Sequence, residues 1–131
     1  MSADSIRFLN LPDILYIHEN QIDQFGGEKG VLDFKLLQSA LGIIKSTFDG
    51  KFLHKSIFEM AGAYCFHLCM NHPFVDGNKR IGLMSALVFL DINGYELLDE
   101  KEMYESILGM IEGKVTKQDF AQFLEDKAVK K

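Results

Sequence analysis

Basic excess is the first thing this sequence lacks. A net charge of -5 over 131 residues removes the general electrostatic attraction on which nucleic-acid binding rests, so any basic site must be local. The short basic tail of Lys127, Lys130 and Lys131 reads as a solvated end rather than a nucleic-acid site. Proline is scarce and glycine unremarkable (2 and 11 residues), and no stretch repeats at a fixed period, which excludes low-complexity and repeat architectures. Cysteine is scarce too. Cys65 and Cys69 lie four apart in an apolar stretch, on one helical face, where a disulfide is geometrically unfavourable and a zinc site would want more ligands. They read as core residues of a protein in a reducing compartment. Long apolar runs are missing: Ile81 to Leu90 falls far short of a bilayer span, and Met1 to Ser5 has none of the basic-then-apolar pattern of a signal peptide. The expectation is a cytoplasmic protein with no direct nucleic-acid or membrane partner.

What is present is enough apolar content, 47%, for one continuous core, and the expectation is a single domain over 1–131. The patterning is helical throughout. Asn10, Pro12 and Asp13 signal a first helix running to about Gln24, ended by Phe25-Gly26-Gly27. Asp33 caps a second, with Leu36, Leu37, Ala40, Leu41 and Ile44 on its buried face. Ser46 to Lys55 breaks at Asp49-Gly50 and reads as a loop that could form a short flap. Ser56 with Glu59 forms a capping-box pattern before a helix that is apolar on almost every face, with Glu59 and His67 as exceptions. Such a helix belongs at the centre of the fold. Pro73 should stop it at about Asn71. A second central helix spans Asn78 to Asn93, Tyr95 to Leu98 reads as briefly extended, and two further helices start at Asp99 (with Glu102) and Thr116 (with Asp119). The fold class is all-α, a compact bundle of about six helices with a functional loop between the two central ones.

That loop carries the chemistry. His72, Asp76 and then Gly77-Asn78-Lys79-Arg80 open a helix. Each residue has a bland reading, His72 as a satisfied core residue and Asp76 as a turn or cap. Lys79 and Arg80, however, put two cations in a helix's first turn, where the macrodipole is already positive. An arrangement that costs stability in this way suits an anion bound by free helix N-H groups beside a glycine turn. Two cations, free amides and a carboxylate suggest a polyphosphate with a divalent ion, Asp76 holding magnesium. His72 then suits a general base acting on an attacking hydroxyl, the usual task of a free imidazole. Phe74 reads as a structural anchor for the loop.

The run His72-Pro73-Phe74-Val75-Asp76-Gly77-Asn78-Lys79-Arg80 resembles the Fic/Doc family motif: a His, an aromatic two positions on, an acidic residue, a small residue, Asn, then Gly-Arg or Lys-Arg. Similarity to the Doc ("death on curing") branch extends to Ile17-His18-Glu19, Phe25-Gly26-Gly27, Ser85 to Leu90, Asn93-Gly94 and Gly113. The resemblance implies His72 as general base, Asp76 as magnesium ligand, and Gly77, Asn78, Lys79 and Arg80 as binders of ATP phosphates. Lys79 stands where AMP-transferring members usually have Gly, and Leu83 where they have a second Arg, departures shared with Doc-like proteins that transfer the γ-phosphate. The resemblance therefore implies a protein kinase acting on a Ser/Thr hydroxyl of elongation factor Tu, in a toxin-antitoxin pair whose antitoxin has a disordered tail that folds on the toxin. AMP transfer to a protein hydroxyl is the runner-up, and a non-catalytic nucleotide- or partner-binding module a third reading, against which the intact His72 and Asp76 argue. No Ser/Thr-x-x-x-Glu-Gly/Asn inhibitory pattern is present, which points to control by a separate chain.

Overall fold

Short polar side chains decide where most of the helices begin. In the computed structural model, which describes residues 5–97 and 99–131, α1 (Leu11–Phe25) opens with a reciprocal box: Asn10 accepts from the Asp13 N-H and Asp13 from the Asn10 N-H. The Asp33 carboxylate caps α2 (Phe34–Lys45), the Ser56 hydroxyl caps α3 (Ile57–Asn71), Asp99 caps α5 (Glu100–Ile111), and Thr116 with Asp119 makes a second full box at α6 (Lys117–Lys127). Two expected boxes form only by half. The Glu59 carboxylate accepts from the Lys55 N-H instead of that of Ser56, and Glu102 pairs with Lys127 of α6 at 3.4 Å. α4 (Asn78–Ile92) is the exception among the six described helices, because Gly77 precedes it in a left-handed conformation and gives no side-chain cap.

The helix apolar on nearly every face is central, as its pattern requires. α3 buries Met60 to Cys65 and also Leu68 and Cys69, and packs against α4, α6 and α2. The Tyr64 hydroxyl ties the chain before α1 to this core, donating to the Leu9 carbonyl at 3.1 Å and accepting from its N-H at 2.9 Å. Gly82 lets α3 and α4 come together: a Cβ there would lie 2.5 Å from Cys69 Sγ and 3.0 Å from the Cys65 carbonyl. Both cysteines are free and buried, and burial pushes the Cys65 thiol well up. Leu36, assigned above to the buried face of α2, is instead 39% exposed, since Leu37, Ala40, Leu41 and Ile44 complete the stripe without it.

Two small pairings complete the fold. The expected flap is a hairpin, β1 (Thr47–Phe48) against β2 (Lys51–Phe52), turned by Asp49 and Gly50 with positive φ. β3 (Tyr95–Leu97) pairs antiparallel with β4 (Ala128–Lys130). The three lysines of the basic tail are exposed as expected, but its backbone is ordered: it pairs with β3, and Lys131 pairs with Asp91. Leu98 of the extended stretch, and residues 1–4 of the N-terminal reading, lie outside the described residues. Among the described residues no helix is long and apolar enough to cross a membrane.

Candidate active site

The loop between α3 and α4 is held from three sides. Pro73 has no N-H, so α3 ends at Asn71 and His72 takes a left-handed conformation (φ 48°, ψ 53°), costing about 1–3 kcal/mol for a residue with a Cβ. From the α1–α2 connection, the N-H groups of Leu32 and Asp33 donate to the Pro73 carbonyl (2.8 and 3.0 Å), and the Val75 N-H donates to Gly30 at 3.1 Å. From α4, the Asn78 side chain grips Phe74 twice, accepting from its N-H and donating to its carbonyl, both at 3.0 Å. From α1, the buried His18 ring stacks on Phe74 with centroids 3.8 Å apart and planes at 11°. Phe74 is 1% exposed, an anchor as its sequence position suggested.

These constraints present the polar side chains on one cleft of about 360 Å³, lined by His72, Val75, Asp76, Gly77, Asn78, Lys79, Arg80 and Tyr104. All six residues singled out from the sequence meet there. The His72 ring is exposed and has no hydrogen-bond partner among the described residues, so it is not a satisfied core histidine. The Asp76 carboxylate accepts from the Gly77 N-H at 2.8 Å and the Glu28 N-H at 3.2 Å. The Gly77 amide is thereby engaged, and the Asn78 side chain is committed to Phe74. What the helix start offers a ligand is the N-H groups of Asn78, Lys79 and Arg80, which have no partner among the described residues, together with two side-chain cations. Lys79 is exposed, and the Arg80 guanidinium lies 4.4 Å from the centroid of the Phe25 ring.

No group of three His, Cys, Asp or Glu side chains that could hold a metal occurs among the described residues. The exposed Asp76 carboxylate has one backbone donor on each oxygen and keeps further lone pairs, a donor that would suit a hard cation filling the rest of its shell from phosphate oxygens and water. Tyr104, on α5, was missed because nothing in the sequence links it to the loop. It also borders a second hollow of about 390 Å³ with Arg80, Leu83 and Glu100, so the apolar Leu83 lies beside the cleft rather than aiming a charge into it.

A second basic cluster escaped the sequence reading altogether. Lys117, the first residue of α6, sets its ammonium 2.9 Å from His54 Nε2 and 3.1 Å from His67 Nε2, and 5.6 Å from the Phe66 ring centroid. Burial, then the Lys117 cation, lowers the His54 pKa; burial, Lys117 and His54 together push His67 down to about 4.

Two named proteins are similar to this chain over parts of this architecture. "Protein kinase doc" of Escherichia phage P1 is 26% identical over 119 residues, spanning 91% of this chain and 94% of that one. "Toxin Doc" of Mycolicibacterium smegmatis is 40% identical over 73 residues, 56% of each. The model of the Fic/DOC family matches residues 8–90, more than half of the chain and all of the loop with its supports from α1, α3 and α4, and the protein belongs to that family.

Proposed function

We propose that this protein is a Doc-type phosphotransferase that moves the γ-phosphate of ATP to a serine or threonine hydroxyl of a protein, with elongation factor Tu as the substrate and translation arrest as the result. The observation that carries the reading is the start of α4, where no side chain caps the helix, three amides have no partner among the described residues, and Lys79 and Arg80 add positive charge to the positive end of the dipole. This start lies in the same cleft as an exposed histidine and an exposed carboxylate.

In this mechanism the ATP phosphates lie against the amides of Asn78, Lys79 and Arg80 and the two cations, which stabilise charge on the transferring group in a preorganised cradle. Asp76 would hold a magnesium ion, which when bound neutralises phosphate charge. His72 accepts the proton of the substrate hydroxyl as that oxygen bonds to the γ-phosphorus; the bond from the γ-phosphorus to the bridging oxygen breaks, and ADP leaves with the electron pair. Asn78 keeps the loop in register through Phe74. Lys79 in place of glycine, and Leu83 in place of a second cation, favour γ-phosphate over AMP transfer. The name of the Mycolicibacterium smegmatis relative supports a toxin role, and hence an antitoxin partner whose disordered tail folds over the toxin. Work on elongation factor Tu and with ATP would place the protein in the cytoplasm.

The test is incubation of the protein and its His72→Ala variant with magnesium, elongation factor Tu and ATP labelled in turn at the γ- and α-phosphate. Label from the γ position only, lost in the variant, supports the kinase. Label from the α position replaces it with AMP transfer, and the absence of label from both rejects this substrate.

A further inference from the structure

The geometry points to His18 and Gly27, both outside the loop, as positioning residues that set the Asp76 carboxylate for its metal. The inference rests on the reading of Asp76 as the magnesium ligand. His18 is 4% exposed, and its Nε2 lies 2.7 Å from the Asp76 carbonyl oxygen. A carbonyl only accepts, so the imidazole must carry a proton on Nε2. The stack on Phe74 fixes the ring plane. The Asp76-Gly77 peptide is held from below by one donor whose position and orientation are both determined. Gly77 turns there at φ 78°, and a Cβ on it would meet Ile22 Cδ1 at 3.3 Å and His18 Nε2 at 3.6 Å.

Gly27 acts from the other side. A Cβ at this residue would lie 2.8 Å from Asp76 Oδ2 and 2.9 Å from Ile22 Cδ1, and its φ of 117° is one that L side chains rarely adopt. Having no side chain, it lets the carboxylate lie against the α1–α2 connection and accept the next N-H, that of Glu28. Each carboxylate oxygen then has one backbone donor, Gly77 for Oδ1 and Glu28 for Oδ2, which fixes the direction of the group and leaves further lone pairs for a cation. Outer contacts of this kind orient metal ligands, and their loss typically costs about 10–100-fold in metal affinity. His18 and Gly27 belong to the two stretches, Ile17-His18-Glu19 and Phe25-Gly26-Gly27, for which the chemistry above found no use.

The experiment is calorimetry of ATP binding in magnesium and in EDTA, on the full chain and on His18→Phe, His18→Gln, Gly27→Ala and Asp76→Ala. The full chain should bind more tightly with magnesium, and Asp76→Ala should lose that gain. His18→Phe keeps a ring against Phe74 but has no donor; Gly27→Ala, at an exposed residue, crowds the Asp76 carboxylate and the end of the Ile22 side chain. Both should cut the magnesium gain by about 10-fold or more while leaving affinity in EDTA as in the full chain. His18→Gln, which retains an N-H donor, should recover most of it. The inference is overturned if both variants keep the full gain, or if affinity in EDTA falls in parallel, as a merely structural role would give. Should His18→Phe fail to fold, Gly27→Ala decides alone. A magnesium gain that survives in Asp76→Ala, or is absent from the full chain, overturns the reading of Asp76 itself and the inference with it.

Discussion

The molecule has two places where imidazole and a cation come together, and they are built in opposite ways. In the cluster of His54, His67 and Lys117 the ammonium donates to both Nε2 atoms, so the three groups pair with one another, although His54 Nδ1 is buried without a partner among the described residues. Around the loop, His72 has no partner among the described residues, and Lys79 and Arg80 stand on an uncapped helix start that repels them. The same residue types are paired with one another in one place and open in the other. The pairing ties α6 to α3 and to His54 after the hairpin; openness leaves hydrogen-bonding capacity at the loop. The difference supports the choice of the loop as the candidate site better than residue type does.

Four substitutions or conditions would break or sharpen this contrast. The largest effect belongs to His72→Ala: label transfer should fall by about 10²–10⁴-fold, the usual worth of a general base, with the melting temperature unchanged because the ring is exposed and unpartnered. Lys79→Glu comes next and should act in two directions at once. ATP affinity measured by calorimetry should fall by about 10–100-fold, as expected for charge-assisted hydrogen bonds worth about 1.5–3 kcal/mol. The free protein should become more stable by about 0.3–1 kcal/mol in urea denaturation, because an anion now faces the helix's positive end. A loss of stability in that variant would mean that Lys79 is as satisfied as Lys117.

The third is a pH effect at the closed cluster. His67 is lowered in the folded protein to about 4 from its ordinary 6.5, and His54 is lowered as well. Between those values the unfolded chain binds more protons than the folded one. Stability from this cluster is therefore complete above about pH 6.5 and declines as pH falls toward 4. Urea midpoints across that window should drop in the parent and drop less in His67→Gln, which keeps an acceptor for Lys117 but does not titrate. The smallest is Lys117→Met: the His67 titration followed by NMR should move upward only part of the way from about 4, since burial, the largest cause, remains.

Much of this was legible because it is local. Cap residues announce their helices within three positions, Pro73 ends α3, and the mismatch between Lys79-Arg80 and the helix dipole marks the candidate site. What escaped depends on pairing between distant segments. His54 and His67 meet Lys117 across 63 and 50 positions, and the patterns around each give no sign of the others. The strand in the tail escaped because β4 has no reason to form except to pair with β3. Glu59 and Glu102 matched the spacing of capping boxes, but their carboxylates found other partners, Lys55 and Lys127. His18 was visible in a motif while its role was not, since the role depends on the carbonyl it reaches, 58 positions away.

Gly82 carries a consequence for timing. By letting α3 and α4 touch at Cys65 and Cys69, it joins the two helices that end and restart on either side of the loop, so His72 and the α4 amides stand on one packed pair. Under the proposed function, a nucleotide arriving there would meet a finished shape and have no slow helix rearrangement to wait for. Restraint of the protein would then come from a partner that occludes the cleft, and release would be as fast as that partner's departure.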